Sequence, residues 1–211
     1  APAKVATISV EDPTNVTPVY PLVLTFSRKM DKASVEQAFS ISNNGEVALS
    51  WENDYTLSID LSKLQALQSY TIKIDGSIAK NSQTNQPFDG NGDGVGGDNY
   101  ELVITMAEPD VDAPKIVSTT PAMDGEVAYT LRPVIRVEFD EILNWNEDKN
   151  GTALTLTDAT GKEYAGKLTH DIIGEASVLH YYLAEDLPLD KCFLVTLAGG
   201  LADLSGNETK E

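Results

Sequence analysis

The sequence predicts an all-β protein built as two tandem β-sandwiches. Three features predict it: runs of period-two hydrophobic alternation, closely spaced turn signals, and a weak internal repeat. The 211 residues suit two domains of about 100 residues each. In the first half Leu22, Leu24 and Phe26 alternate with Val23 and Thr25. Leu57, Ile59 and Leu61 alternate with Ser58 and Asp60, and Tyr70, Ile72 and Ile74 with Thr71 and Lys73. In the second half Ile135, Val137 and Phe139 form one such run, and Phe193, Val195 and Leu197 another. Side chains of a strand point to opposite faces in turn, so this alternation reads as antiparallel sheet with one face buried and one wet.

Turn formers separate the runs: Asn43-Asn44-Gly45, Asn53-Asp54, Asp124-Gly125, Thr160-Gly161 and Ser205-Gly206-Asn207. Only short segments have the composition for helix, and Asp31 to Phe39 could form a turn or two. Tyr181-Tyr182 is expected to place one ring on each face of a strand.

The two halves repeat in order. Pro21 to Phe26 matches Pro133 to Phe139 with one inserted residue, and Leu64 to Tyr70 matches Leu187 to Phe193 in spacing. Ile8 and Pro13 pair with Ile116 and Pro121. The expected organisation is a first domain over 1–107, a linker over 108–114, and a more divergent second domain over 115–211. The linker carries Pro109 and Pro114 with Glu108, Asp110 and Asp112, a stiff, solvated composition. A strand-like stretch, Tyr100 to Met106, has no equivalent in the second half, so that domain is expected to lack its last strand or borrow one.

Charge excludes several classes. Fifteen Lys and Arg stand against 33 Asp and Glu, for a formal net charge of -18. That field repels nucleic acid and anionic membrane surfaces. No apolar run reaches the ~18 residues of a membrane span, and the opening residues do not read as a signal peptide, so Ala1-Pro2-Ala3 is expected to start a mature or trimmed chain. The chain reads as a piece of a longer exported protein, extracellular or on a bacterial surface, whose other domains are its nearest partners. Cys192, the single cysteine, precludes an internal disulfide and reads as a buried, inert thiol beside Phe193-Leu194-Val195. With His170 and His180 outside any motif, nucleophilic catalysis finds no support, and the expectation is no enzyme activity. Asp140-Glu141 reads as a solvated pair at a strand end. Trp145, beside Asn144 and Asn146, reads as an exposed ring, which would suit a glycan or a host or cell-surface protein.

One segment carries chemistry. In Phe88-Asp89-Gly90-Asn91-Gly92-Asp93-Gly94-Val95, oxygen-bearing side chains fall at alternate positions among glycines. A hard cation such as Ca²⁺ takes six to eight oxygens at about 2.3–2.6 Å. Asp89, Asn91 and Asp93 supply three, the Val95 carbonyl a fourth, and Asp98 and Glu101 close the shell. The glycines allow the positive φ that curls such a loop. The twelfth position is Tyr100, where an EF-hand has a bidentate glutamate, so this is a different loop. The expected role is structural. The linker acids Glu108, Asp110 and Asp112 form a weaker candidate of the cadherin-junction kind, read here as a charged spacer.

Phe26-Ser27-Arg28-Lys29-Met30-Asp31-Lys32-Ala33-Ser34-Val35, followed by Trp51 to Tyr55 and Tyr70-Thr71-Ile72, resembles the signature of bacterial Ig-like domains of the S-layer-protein type. Asp112 to Pro121 and Asp203 to Asn207 fit the same pattern in the second half. There Asp140-Glu141-Ile142-Leu143 departs from it, and Trp145 to Gly151 looks inserted. The resemblance implies two tandem immunoglobulin-like Greek-key sandwiches. It also implies spacer, adhesive or accessory roles in surface-layer proteins, adhesins and secreted enzymes, without catalytic residues.

Overall fold

In the computed structural model the alternating runs become strands. It describes residues 1–122, 125, 131–189 and 191–210. The expected turn at Asp124 lies outside the described residues. The chain divides into two compact units, 1–109 and 110–211.

The first unit contains β1 (Val5–Ile8), β2 (Leu22–Phe26), α1 (Lys32–Ala38), β3 (Phe39–Ile41), β4 (Ala48–Trp51), β5 (Thr56–Asp60), β6 (Ser69–Ile74) and β7 (Tyr100–Thr105). They form two antiparallel sheets, β1-β2-β5-β4 and β3-β6-β7. The chain changes sheet between β2 and β3, returns between β3 and β4, and crosses again between β5 and β6. This is the seven-strand arrangement of an immunoglobulin constant-type sandwich. Leu22, Leu24, Leu57 and Ile59 from one sheet and Ile72, Ile74 and Ile104 from the other are all fully buried. Each contributes about 1.5–3 kcal/mol of burial. Phe26 stacks on Trp51 at 5.9 Å and meets the edge of Phe88 at 5.9 Å.

Helix α1 starts where Asp31 accepts a hydrogen bond from the Ser34 N–H at 3.1 Å, and it buries Val35 and Ala38. It ends at Phe39, which has already turned to extended backbone and begins β3. Asn43 and Asn44 both take positive φ (56° and 54°) in the turn after β3, which asparagine tolerates better than other branched or bulky residues.

The second unit contains β8 (Ile116–Thr120), β9 (Ile135–Phe139), α2 (Glu147–Asn150), β10 (Leu154–Asp158), β11 (Gly166–Ile173), β12 (Ala176–Leu183) and β13 (Phe193–Leu197). Its four-stranded sheet runs β8-β9-β12-β11, the same order as β1-β2-β5-β4. The correspondence reaches single bonds. In the first unit Ser27 N–H donates to the Lys4 carbonyl while its hydroxyl accepts from Lys4 N–H. In the second, Asp140 N–H donates to the Lys115 carbonyl while its carboxylate accepts from Lys115 N–H.

The remaining sheet differs. Strand β13 pairs with β10 as β6 pairs with β3, but among the described residues nothing corresponds to β7. The alternation of Phe193, Val195 and Leu197 is therefore not converted to burial: Val195 is 41% exposed, whereas Ile72 is fully buried. Cys192 corrects an expectation. It is exposed, because Phe193 takes the inward position and the residue before it faces the other way. Tyr181 and Tyr182 divide as expected, the first buried with its hydroxyl on the Tyr164 carbonyl (2.9 Å), the second exposed.

Candidate metal centre

The glycine-rich loop joins β6 to β7 and is anchored at its root. Phe88 is fully buried, and its N–H donates to the Ala79 carbonyl. Asp89 follows, 2% exposed, its own N–H held by the Ala3 carbonyl at 2.8 Å. Gly90 N–H reaches the Asp98 carbonyl and Gly97 N–H the Phe88 carbonyl, closing the loop on itself. At Gly90 a Cβ would lie 2.1 Å from the Asn99 carbonyl carbon, so only glycine lets the two arms approach.

Within the loop the side chains of Asp89, Asn91 and Asp93 turn the backbone inward. Asp89 accepts from Gly92 N–H (2.7 Å) and Gly94 N–H (2.9 Å). Asn91 Oδ1 accepts from Asp93 N–H (2.9 Å), and Asp93 Oδ1 from Val95 N–H (2.8 Å). Gly92 and Gly94 have φ of +81° and +95°, which a side chain would strain. The result brings one carboxylate oxygen each of Asp89, Asp93 and Asp98 within 4.8 Å of one another. Three like charges at that spacing repel unless a cation lies between them. The three carboxylates offer oxygen donors, and the Asn91 side chain lies beside Asp93, so the set fits a hard divalent ion.

Of the six residues expected from sequence, the structure brings Asp89, Asp93 and Asp98 together and places Asn91 beside Asp93, 3.4 Å from its carboxylate. Val95, between Asp93 and Asp98, is 65% exposed, with its N–H on the Asp93 carboxylate. Glu101 is not brought into the cluster. The β6–β7 register sets it opposite Lys73, whose ammonium is 3.9 Å from its carboxylate.

A second acidic group arises in the second unit, where no signature pointed to one. Asp110, Glu141 and Asp203 place carboxylate oxygens within 4.8 Å of one another. Asp203 is 1% exposed and accepts from the N–H and side chain of Asn207, while Asn207 also donates to the Asp110 carbonyl. Burial, with the negative charges of Asp110, Asp203 and Asp140 around it, pushes the Glu141 carboxyl up to about 7. Asp140-Glu141 is thus not a simply solvated pair. The linker acids separate: Asp110 joins this group, while Asp112 approaches the Lys115 ammonium at 3.7 Å. The signal lay in the internal repeat. By spacing from Phe26 and Phe139, Glu141 stands where the first unit has Arg28. The Leu143–Asp203 bridge likewise matches the Met30–Asn81 bridge.

The remaining candidate groups are structural in their contacts. Ser177 is fully buried. Its Oγ accepts from Leu143 N–H (2.8 Å) and lies 2.7 Å from His170 Nε2, so it ties β11 and β12 to the segment after β9. Burial lowers the His170 pKa. Trp145 is half-buried. Its ring stacks on His170 at 5.0 Å, and its indole N–H is buried without a hydrogen-bond partner among the described residues.

The fold and sites define a tandem immunoglobulin-like sandwich. A family model described as bacterial Ig-like domain matches residues 1–92 and 110–211, and the chain belongs to that family. No curated protein matches it in sequence. Among solved structures it is similar to the N-terminal part of the bacterial S-layer protein SbsC, at 13% identity and a TM-score of 0.35, covering 94% of this chain and 44% of that one. It is also similar to S-layer protein rSbsC(31-844), at 14% identity and a TM-score of 0.34, covering 94% and 26%. Domains 1–6 of surface layer protein SbsC match at 13% and 0.34, covering 100% and 34%. The chain thus spans less than half the length of each. Among the described residues no helix is long and apolar enough to cross a membrane.

Proposed function

We propose that these two units are a non-catalytic spacer or adhesion module of a bacterial surface or secreted protein, and that Ca²⁺ holds the glycine-rich loop of the first. The tandem arrangement, membership of the bacterial Ig-like family and the acidic surface support the module reading. The observation that carries the calcium reading is the convergence of Asp89, Asp93 and Asp98, with Asp89 almost wholly buried. The ion would offset their mutual repulsion and order a connection of 25 residues between β6 and β7, long enough to be costly to leave loose. A glycan-binding role rested on an exposed Trp145; the stacking of that ring on His170 does not favour it.

Thermal unfolding in excess Ca²⁺ and then in EDTA tests the calcium reading. At about 100 times the dissociation constant, a ligand adds roughly 2.7 kcal/mol to the native state. For a domain of this size the first-unit transition should then rise by roughly 10 °C or more, and Asp93→Ala should remove the rise. Identical melts at millimolar Ca²⁺ and in EDTA would sink it. Small-angle scattering tests the spacer role: a single well-defined inter-domain distance is expected, and a broad distribution counts against it.

A further inference from the structure

Ser177 lies near the start of β12, fully buried, and its hydroxyl has two partners. The Leu143 N–H donates to its Oγ at 2.8 Å, and His170 Nε2 lies 2.7 Å from the same atom. A backbone N–H can only donate, so the hydroxyl's own proton goes to His170. Nε2 is then an acceptor, and the imidazole is neutral with its proton on Nδ1. A second proton on this ring would aim an N–H at Ser177 Oγ. The hydroxyl proton would then be left in a buried site without an acceptor. Ser177 also donates its N–H to the Glu141 carbonyl, so it stitches β12 to the segment that follows β9.

His170 carries a second contact, the Trp145 ring, stacked at 5.0 Å with 15° between the planes. Trp145 opens the stretch that runs through α2 to Gly151. Among the described residues the hydrogen bonds of 145–151 are local, and α2 buries no residue. The Trp145 indole N–H has no partner there either. Between its ends, this stretch is therefore held by the packing of one ring, against the core and on His170.

We propose that His170 is an acid-sensitive latch: as neutral imidazole it takes the Ser177 proton and seats Trp145, and its protonation releases residues 145–151 from the sheet. The ionisable groups on the surrounding elements leave this role to His170. Asp171, next along β11, favours the charged ring but faces the other side of the strand, 3.2 Å from His180 of β12. After β9, the Asp140 carboxylate accepts the Lys115 N–H. Glu141 meets Ser177 through its carbonyl, while its carboxyl groups with Asp110 and Asp203. Glu147, Asp148 and Lys149 of α2 are exposed. An imidazolium would be attracted to the Trp145 face. Burial and the orphaned Ser177 proton oppose it, and burial lowers the His170 pKa from the ordinary 6.5. The stability that His170 contributes is thus complete above pH 6.5 and is lost as pH falls through the lower, folded-state value.

Ring-nitrogen NMR of the 211-residue chain tests the latch, with His180→Asn assigning the two histidine signals. At pH 8 His170 should carry its proton on Nδ1, and it should titrate below 6.5. Between 6.5 and that value, the exchange protection of the Lys149, Asn150 and Gly151 amides should fall by about tenfold per pH unit. In a Trp51→Phe chain, Trp145 emission should move to the red over the same range. Both readings are repeated with Glu141→Gln, so that the Glu141 carboxyl cannot supply the change. His170→Phe keeps a ring beneath Trp145 that cannot titrate, and it should abolish both responses. A proton on Nε2 at pH 8, or titration above 6.5, overturns the proposal. So does a response that persists in His170→Phe, or a His170 titration that leaves protection and emission unchanged. The tautomer and the titration are read on the native histidine, so they decide the matter even if His170→Phe does not fold.

Discussion

Strands β6 and β13 carry the same apolar alternation in the same place in the same sheet order, yet Ile72 is fully buried and Val195 is 41% exposed. Alternation decides which side chains turn inward. It does not decide whether anything covers them. Ile72 is shielded by strands on both sides, β3 and β7, while Val195 has β10 alone among the described residues. A residue's burial is therefore a property of its neighbours' register as much as of its own side chain.

The sharpest way to break this comparison is to truncate both strands. Ile72→Ala should destabilise the first unit by about 2–5 kcal/mol, because its fully buried site leaves a cavity. Val195→Ala should stay within roughly 0.5 kcal/mol, as for a surface position. Each unit holds one tryptophan, Trp51 or Trp145, so urea denaturation followed by fluorescence in Trp51→Phe and Trp145→Phe backgrounds separates the two transitions. Equal costs at the two positions would mean that β13 is covered after all.

Gly90→Ala tests the glycine-rich loop of the first unit. Its Cβ would meet the Asn99 backbone at 2.1 Å, so the root of the loop must open, at about 1–3 kcal/mol. The same denaturation reads it, and the second transition should not move. A smaller contrast lies in the helices. Asp31→Ala removes the cap of α1, whose Val35 and Ala38 pack into the core, and should cost about 1 kcal/mol. Asn146 caps α2 by accepting from the N–H groups of Asp148 and Lys149, but α2 buries no residue. Asn146→Ala should therefore cost less, toward the 0.5 kcal/mol end of the range.

The smallest expected effect concerns charge. The Glu141 carboxyl is raised to about 7 in the folded state from an ordinary 4.5. Between those values the native state holds a proton that the unfolded state has released, so the stability this group contributes falls as pH rises through the window. Glu141→Gln should thus raise the second-unit melting temperature relative to the unsubstituted chain at pH 8, and change it little at pH 4. A gain at pH 4 equal to that at pH 8 would exclude carboxyl repulsion as the cause. His170 and Asp158 titrate in the opposite sense. The His170 pKa is lowered by burial, and that of Asp158 is lowered by hydrogen bonds from Thr160 and Lys191. The comparison must therefore be made between variant and unsubstituted chain at each pH.

Much of this was legible along the chain. The alternation of Leu22 to Phe26 and of Ile135 to Phe139 appears as two central strands with identical burial patterns. Asp31 to Phe39 becomes the helix and the start of the next strand. Asp89, Asp93 and Asp98 could be picked out because the loop is local: ten residues, with glycines between the acids, bring their own oxygens together. Glu101 could not be separated from them by spacing, since a cross-strand register gives it to Lys73. The group of Asp110, Glu141 and Asp203 was hidden for the same reason, its members being drawn from three distant stretches of chain. Cys192 is exposed where the sequence suggested burial, and Trp145 is half-buried where it suggested an exposed ring. The stacking partner of Trp145 is His170, on another strand, and the solvent that meets Cys192 depends on which face the neighbouring Phe193 takes.

By itself, the sequence determined the all-β class, the twofold repeat, the acidic surface and the curled loop. Period, composition and the freedom of glycine act within a few residues, and they act before any long-range contact forms. Only the tertiary structure decided which carboxylates share a site, that Glu141 is held near neutrality, and that Val195 remains uncovered where Ile72 does not. Each of these depends on strand register between segments far apart in the chain, and a one-residue change of register reverses which side chains meet.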